Sequence, residues 1–427
     1  MFKFAHFGDC HLGAWRDQKL KELNLEAFMQ ALDKCVDEQV NFIIITGDLF
    51  DTTMPELFLV NKAVEKIRKV TEKGIRVYLT YGSHDFAANA VSMIDILNSA
   101  GLFRKVVEAE VAEDKITLKF IYDKETNAKL VGLSGRRLGL EKRYYEMLDL
   151  AALEKETGFK IFAFHNAITE VRSIASYPEG VPISSFPKGF DYYAGGHVHD
   201  SSKNIVKDYG LVVFPGCLFG ATYKDLEVTG KGEKRGFFVV SFAEKVEAVK
   251  FVEVNTKAVL FQELNAEGKT ATQVGENLQK LANKADVEDK IVLVKVAGKL
   301  ASGKPSDIDF NELKQTMTAR GAFFANISHD SLITQEELKM SVQGESKQEI
   351  ENKILAELTS TYKIDPVLSS KLKTKLEKIL AKDAGLSLAK NLLVALKQEK
   401  FEGEKNADFE NRVLTNTIHL LNLEAEK

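Results

Sequence analysis

The sequence predicts an α/β fold. One large α/β domain spans about residues 1–250, a smaller α/β unit covers 251–335, and a helical region covers 345–427. Three observations carry this reading. Strand-length apolar runs alternate with stretches of helical periodicity through the first half of the chain. Several of those runs stop at glycine followed closely by Asp or His. Beyond Lys347 the apolar spacing is helical throughout.

Phe2 to Phe7 reads as a first strand ending at Gly8-Asp9, and a helix follows from about Lys21 to Glu38. Phe42 to Thr46 is a near-continuous apolar, β-branched run of the kind that fills a sheet covered on both faces, and it ends at Gly47-Asp48. A second helix is expected from about Pro55 to Lys73, stopped by Gly74. The strand Ile75 to Thr80 then runs into Gly82-Ser83-His84-Asp85. Ile116 to Phe120 and Lys129 to Leu133 suggest a hairpin of a second sheet. Phe159 to Phe164 ends at His165, Asp191 to Ala194 ends at Gly195-Gly196-His197, and Leu211 to Phe214 ends at Pro215-Gly216-Cys217. Gly236 to Phe242 closes the domain, with the charged stretch from Lys250 to Asn255 leading onward.

The smaller unit reads as strands at Val259–Gln262, Lys290–Val296 and Ala322–Ile327, with helices near Gln273–Lys284 and Asp309–Thr318. A polar link from Ser341 to Lys347 precedes helices at about 347–361, 366–380, 386–400 and 406–421. The break at Tyr362 to Pro366 suits a helix-loop-helix.

Composition narrows the class. Among 427 residues, 44% are hydrophobic and 28% charged, which is ordinary for a folded globular chain. A net charge of −4 argues against coating a polyanion through bulk positive potential, although a site holding divalent cations supplies its own. Cys10, Cys35 and Cys217 form no pairing motif, the N-terminus lacks a signal-peptide pattern, and no apolar run suits a membrane span. Cytoplasmic residence is the expectation.

The chemistry lies at the strand ends. Asp9 and His11, Asp48, His84, His165, and His197 and His199 all follow an apolar strand. In a mostly parallel sheet the carboxyl ends share one edge, where ligands bind. Imidazole and carboxylate donors suit Mn²⁺, Fe²⁺ or Zn²⁺. The i,i+2 spacing of Asp9/His11 and His197/His199 puts each pair on one face if the chain there is extended. Asp48 is a natural bridge, since one carboxylate can offer an oxygen to each of two metals. Two such ions generate hydroxide and stabilise an in-line displacement at phosphorus, while His84 is suited to protonate the leaving alkoxide. Each residue alone has an ordinary alternative, because acidic residues commonly form turns at strand ends. His6, flanked by apolar residues, reads as core, and Cys10 should point away from its neighbours.

The strings Gly8-Asp9-Cys10-His11-Leu12-Gly13, Gly47-Asp48-Leu49-Phe50-Asp51, Gly82-Ser83-His84-Asp85, His165-Asn166 and Gly195-Gly196-His197-Val198-His199 resemble the five motifs of the calcineurin-like metallophosphoesterase superfamily. The detail resembles its DNA-repair branch, the SbcD-like nuclease subunit that works with an SMC-like coiled-coil ATPase. The resemblance implies a four-layer α-β-β-α sandwich with a capping domain that faces DNA. Asp9, His11 and His199 would hold one metal, and His165 and His197 the other, with Asp48 bridging and His84 catalytic. It further implies two divalent ions, with manganese the preferred activator. The implied activities are a 3′-to-5′ exonuclease on duplex DNA and an endonuclease on single strands, in double-strand-break repair. A homodimer, an ATPase partner bound through the C-terminal helices, and cytoplasmic or nucleoid-associated residence complete the expectation.

One departure stands out. The family places asparagine before the catalytic histidine, as a ligand of the second metal, whereas this chain has Ser83. A shorter, neutral hydroxyl is a weaker ligand, so the second site is expected to fill less readily. Leu25, Phe28, Met29 and Leu32 form a broad helical stripe that packs on its own sheet or serves a dimer. Leu372, Leu376 and Ile379 are candidates for docking the ATPase, and Arg136 and Arg137 for phosphate contacts. Two other classes stay open: a small-molecule phosphodiesterase or phosphatase with the same metal cassette, and a repair scaffold with weakened turnover.

Overall fold

The computed structural model describes residues 1–85, 91–112, 115–135, 141–171, 180–334, 382–398 and 406–421. Its strands are β1 (Phe2–Phe7), β2 (Phe42–Thr46), β3 (Arg76–Thr80), β4 (Arg104–Lys105), β5 (Ala109–Ala112), β6 (Lys115–Leu118), β7 (Ile121–Tyr122), β8 (Lys129–Leu133), β9 (Lys160–His165), β10 (Tyr192–Gly196), β11 (Ser202–Val206), β12 (Gly210–Phe214), β13 (Gly236–Phe242), β14 (Val246–Glu253), β15 (Val259–Asn265), β16 (Ile291–Lys299) and β17 (Phe324–Ile333). The helices are α1 (Gln18–Asp37), α2 (Leu57–Thr71), α3 (Met93–Ser99), α4 (Glu141–Glu146), α5 (Leu150–Glu154), α6 (Tyr223–Gly230), α7 (Ala271–Lys284), α8 (Phe310–Ala319), α9 (Lys382–Leu396) and α10 (Asn406–Leu421).

One six-stranded sheet runs β14-β13-β1-β2-β3-β4 and the other β11-β12-β10-β9-β8-β7. Their central strands are parallel, β1 to β2 to β3 in the first and β8 to β9 to β10 to β12 in the second. Strand alternation decides which layer each side chain enters. From the first sheet, Phe7, Ile43, Ile45 and Leu79 pack against Phe28 and Leu32 of α1 and Ile67 of α2. The opposite faces send Phe4, Phe42, Ile44 and Tyr78 toward Ile161, Tyr192 and Val213 of the second sheet. Phe162, Phe164, Tyr193 and Phe214 cover that sheet's far side with Tyr145, Leu153 and Phe186. Three buried cores between four layers make the α-β-β-α sandwich, and strands buried on both faces explain their unbroken apolar runs.

Two details depart from the sequence reading. Ile116 to Leu118 does not form the hairpin with Lys129 to Leu133; β6 pairs with β5, and β8 takes β7 as its antiparallel neighbour. The cause is the turn at Asp123, whose carboxylate accepts from Thr126 N (2.9 Å) and Thr126 Oγ1 (2.8 Å), closing the hairpin directly after Tyr122. The charged stretch from Lys250 also belongs to β14, antiparallel to β13. As the edge of its sheet, β14 keeps a solvent face that tolerates charge.

The described chain divides into two compact units. The first comprises Met1–Asn265, Gln273–Ala297 and Ile308–Ser331, so the strand cores of the three-stranded sheet β15-β16-β17 cluster with the sandwich. The second comprises Ala266–Thr272, Gly298–Asp307 and Leu332–Lys427, and contains α9 and α10. The helices expected at 347–361 and 366–380 lie outside the described residues, as do Leu372, Leu376 and Ile379. Among the described residues no helix is long and apolar enough to cross a membrane.

Candidate metal centre at the joined sheet edges

The carboxyl ends of the two sheets meet. Thr46, the last residue of β2, lies within hydrogen-bond distance of Gly195 O through Oγ1 (3.1 Å), and its carbonyl accepts from His165 Nδ1 (2.8 Å). Just past the strands the backbone turns sharply. Asp9 (φ 50°), His11 (φ 43°), Asp48 (φ 49°) and His197 (φ 79°) all take left-handed conformations. The expectation that Asp9/His11 and His197/His199 share a face through extended backbone is therefore corrected: turns bring these side chains together. A left-handed non-glycine residue costs about 1–2 kcal/mol, so the site concentrates strain. It is held by bonds from His11 N to Asp48 O (2.8 Å), from His84 N to Asp48 Oδ1 (2.8 Å), and from His197 N to Asp9 Oδ1 (2.9 Å) and Oδ2 (3.0 Å).

Four imidazoles have Nδ1 committed to an oxygen that can only accept. His11 Nδ1 donates to Asp51 Oδ1 (3.0 Å), His84 to Asp51 O (2.7 Å), His165 to Thr46 O (2.8 Å) and His199 to Asp225 Oδ2 (3.0 Å). That fixes the tautomer and leaves the Nε2 lone pair as the available ligand in the neutral rings. Asp51, Asp225 and the Thr46 carbonyl were not singled out from sequence. Asp51 sits inside a quoted motif, while Asp225 lies far along the chain with no local signal beyond a helix start.

The fit to a cation rests on two atoms. His11 Nε2 and His165 Nε2 are buried and have no hydrogen-bond partner, although buried polar atoms are almost always satisfied. His165 Nε2 stands 3.2 Å from Asp48 Oδ2 and 4.0 Å from Asp9 Oδ1, and His11 Nε2 stands 3.6 Å from Asp48 Oδ2. Burial disfavours charge on both rings, yet the neighbouring carboxylates outweigh it, lifting His11 to about 9 and His165 to about 10. Despite its own burial, Asp48 is held ionised by His165 and His11. Burial and the charge of His165 push the flanking His197 down to about 4.

Donor atoms converge within 4.8 Å in overlapping groups: Asp9, His11 and His199; Asp9, Asp48 and His165; His11, Asp48 and His84. The residues proposed as metal ligands thus occupy one site, with His197 lining it and its ring centroid 5.3 Å from that of His165. Ser83 and the half-exposed His84 face the same open cavity of about 340 Å³. Buried Asp85 anchors this loop, accepting from Gly82 N (3.1 Å), Leu49 N (3.3 Å) and Phe50 N (3.3 Å). His6 is a core residue between Tyr192 Oη (2.9 Å) and Thr46 Oγ1 (3.1 Å), driven by burial to about 3. Cys10 is buried in the core beneath α1.

Other expectations fare differently. Phe28 and Leu32 are fully buried in the chain's own core, which corrects their assignment to a dimer surface; Leu25 and Met29 are only half-buried. The helix turns its best apolar face inward because its own sheet needs covering. Arg136 and Arg137 lie outside the described residues.

Comparison with known proteins agrees with this geometry. Residues 2–201 match the family model described as calcineurin-like phosphoesterase. The chain is 26% identical to the DNA double-strand break repair protein Mre11 of Methanopyrus kandleri over 320 residues, covering 72% of this chain and 67% of that protein. Similarity to the Mre11 protein of Archaeoglobus fulgidus is 26% over 391 residues, or 86% and 83% of the two chains. The metallophosphoesterase YhaO of Bacillus subtilis, whose role is uncharacterised, is 26% identical over 218 residues, 49% of each chain.

Proposed function

We propose, from the calcineurin-like phosphoesterase domain that residues 2–201 form, that this protein is a two-metal DNA phosphodiesterase acting in double-strand-break repair. The observation that carries the chemistry is the pair of buried Nε2 atoms of His11 and His165, which make no hydrogen bond and converge on the carboxylate of Asp48. The DNA substrate is supported by the two Mre11 relatives and by a site that is open along one side.

In this reading Asp9, His11 and His199 hold one divalent ion and His165 and His197 the other, with Asp48 between them and Ser83 at the edge of the second site. Bound there, the ions supply a hydroxide nucleophile at neutral pH and neutralise the phosphoryl oxygens. The chain's own contribution is positional. Asp51, Asp225 and Thr46 O aim three rings by their Nδ1–H groups, so no reorganisation is needed when charge develops. His84 has Nδ1 tied to Asp51 O and its ring half-exposed to the cavity. From that position the ring, when it carries a second proton on Nε2 while Nδ1–H stays on Asp51 O, would give that Nε2 proton to the leaving 3′ or 5′ oxygen and return to the neutral tautomer.

Manganese is the proposed ion, and the activities proposed are 3′-to-5′ exonuclease on duplex and endonuclease on single strands. Residues 251–335 are assigned to a DNA-facing cap and 345–427 to binding a coiled-coil ATPase. The dimer surface is assigned to half-buried Leu25 and Met29 together with exposed Met54, Leu57 and Phe58. The test is purified protein with Mn²⁺ on an end-labelled duplex, beside a bis-aryl phosphodiester and an aryl monophosphate. Cleavage of the duplex and diester is expected. Cleavage of the monophosphate alone would replace this reading with a phosphatase, and turnover of none would leave a scaffold.

A further inference from the structure

We propose that Asp225 and Arg235 are positioning residues that aim His199 at its metal, an inference that rests on the two-metal reading above. Asp225 opens α6 as the third residue of a capping box: Thr222 Oγ1 accepts from Asp225 N (3.2 Å), and Asp225 Oδ2 accepts from Thr222 N (2.9 Å). A capping box needs no more than this. Here the same Oδ2 also accepts from Ala221 N (2.9 Å), from Thr222 Oγ1 (3.0 Å) and from His199 Nδ1 (3.0 Å). The carboxylate is buried, whereas cap acids usually face water, and the imidazole bond serves no helix. It commits His199 to the tautomer with its proton on Nδ1 and its lone pair on Nε2, in a ring that offers a donor atom within 4.8 Å of donor atoms of Asp9 and His11.

Arg235 makes the arrangement rigid. It is 5% exposed and stands immediately before β13. Its Nη1 donates to His199 O (2.6 Å), its Nη2 to Asp225 O (2.7 Å) and its Nε to Thr229 Oγ1 (2.8 Å). One planar guanidinium thus ties the backbone of the imidazole to the helix that carries its acceptor, a geometry a lysine cannot reproduce. The same contacts explain a second cluster. His199, Cys217 and Asp225 bring donor atoms within 4.8 Å of one another, as a metal site would. Arg235 Nη1 lies 3.3 Å from Cys217 Sγ, so a fixed positive charge already stands beside that group. The cluster is a support for His199.

The test is Mn²⁺ binding to metal-free protein, read by calorimetry and by the electron-spin signal of free Mn²⁺, for wild type, Asp225→Asn, His199→Ala and the double variant. Wild type is expected to bind two ions. Asp225→Asn should weaken one of them about 10–100-fold, the range typical of losing the partner of a ligand, and leave the other within about threefold. In the His199→Ala background the same substitution should change binding less than about twofold, because the group it acts through is gone. Equal affinities in Asp225→Asn and wild type would overturn the proposal, as would an undiminished effect in the double variant. Failure of wild type to bind Mn²⁺ overturns the two-metal reading itself and is distinguishable from either. If Asp225→Asn does not fold, Arg235→Lys, which keeps the cap and the charge, decides. Weakening at the same site supports the assignment, and wild-type binding refutes it.

Discussion

Replacing Gly196 with alanine tests how closely the two sheets must approach to build the site. A Cβ at Gly196 would stand 1.9 Å from Thr46 O and 2.7 Å from His165 Nδ1. Ordinary contact needs well over 3 Å, so the ends of β2 and β10 would have to part by more than 1 Å. Gly196 pairs with His165 in the ladder between β10 and β9, and Thr46 O is the acceptor that orients His165, so neither atom moves independently. Overpacking of this kind costs about 1–3 kcal/mol, and loss of one buried hydrogen bond adds about 1 kcal/mol. The sum of about 3 kcal/mol corresponds to a fall in Tm of roughly 6–12 °C for a domain of this size. Thermal unfolding in chelator should report that fall, and Mn²⁺ titration should report weakened binding at the His165 side. Gly74→Ala is the control. Gly74 has φ +88° but no atom within 4 Å of a new Cβ, so only backbone strain of about 1 kcal/mol is expected. A Gly196→Ala protein with the Tm and Mn²⁺ affinity of wild type would refute the close-approach argument.

Other expectations follow from the same geometry. His84→Gln should lower kcat about 10²–10⁴-fold while both ions bind within about threefold of wild type; loss of an ion would make His84 a ligand first. Ser83→Asn should tighten the weaker of two Mn²⁺ sites, and identical affinities would remove any role for this position. Asp123→Asn breaks the buried carboxylate's bonds with Arg76 (2.6 and 3.2 Å) and Tyr78 Oη (2.9 Å), at an expected cost of about 2–3 kcal/mol. Despite its burial, Asp123 is held below the usual carboxylate range by Arg76 and Thr126. Its contribution is therefore complete above the unfolded value of about 4 and is lost as pH falls through the lower folded one. The Tm gap between Asp123→Asn and wild type should be constant from pH 6 to 8 and close in stronger acid. Deleting residues 345–427 should abolish ATPase capture in a pull-down and spare Mn²⁺-dependent cleavage of a bis-aryl phosphodiester.

How much of this was legible beforehand depends on the range of the interaction concerned. Burial on both faces writes itself into a strand as an unbroken apolar run, so β2 and β9 could be read directly. A change from such a run to Gly-Asp or Gly-His marks where it ends, so Asp48 and His197 could be placed at one sheet edge. The hairpin around Asp123 was misread because a side-chain bond inside the turn, not the apolar pattern, chose the pairing. The stripe on α1 was left open between its own sheet and a dimer because periodicity finds the apolar face without saying what covers it, and the structure buries Phe28 and Leu32 in the chain's own core.

The amino-acid sequence by itself determined an α/β domain of alternating strands and helices and the set of histidines and aspartates at its strand ends, since periodicity and turn chemistry are local properties. Only the tertiary structure decided how those residues face one another. The left-handed turns at Asp9, His11, Asp48 and His197 are held by bonds that cross between strands. The acceptors that aim the rings, Asp51, Thr46 O and Asp225, stand 40, 119 and 26 residues from their histidines. Contacts of that range come into being when the two sheets close on each other, and no window of sequence contains both partners.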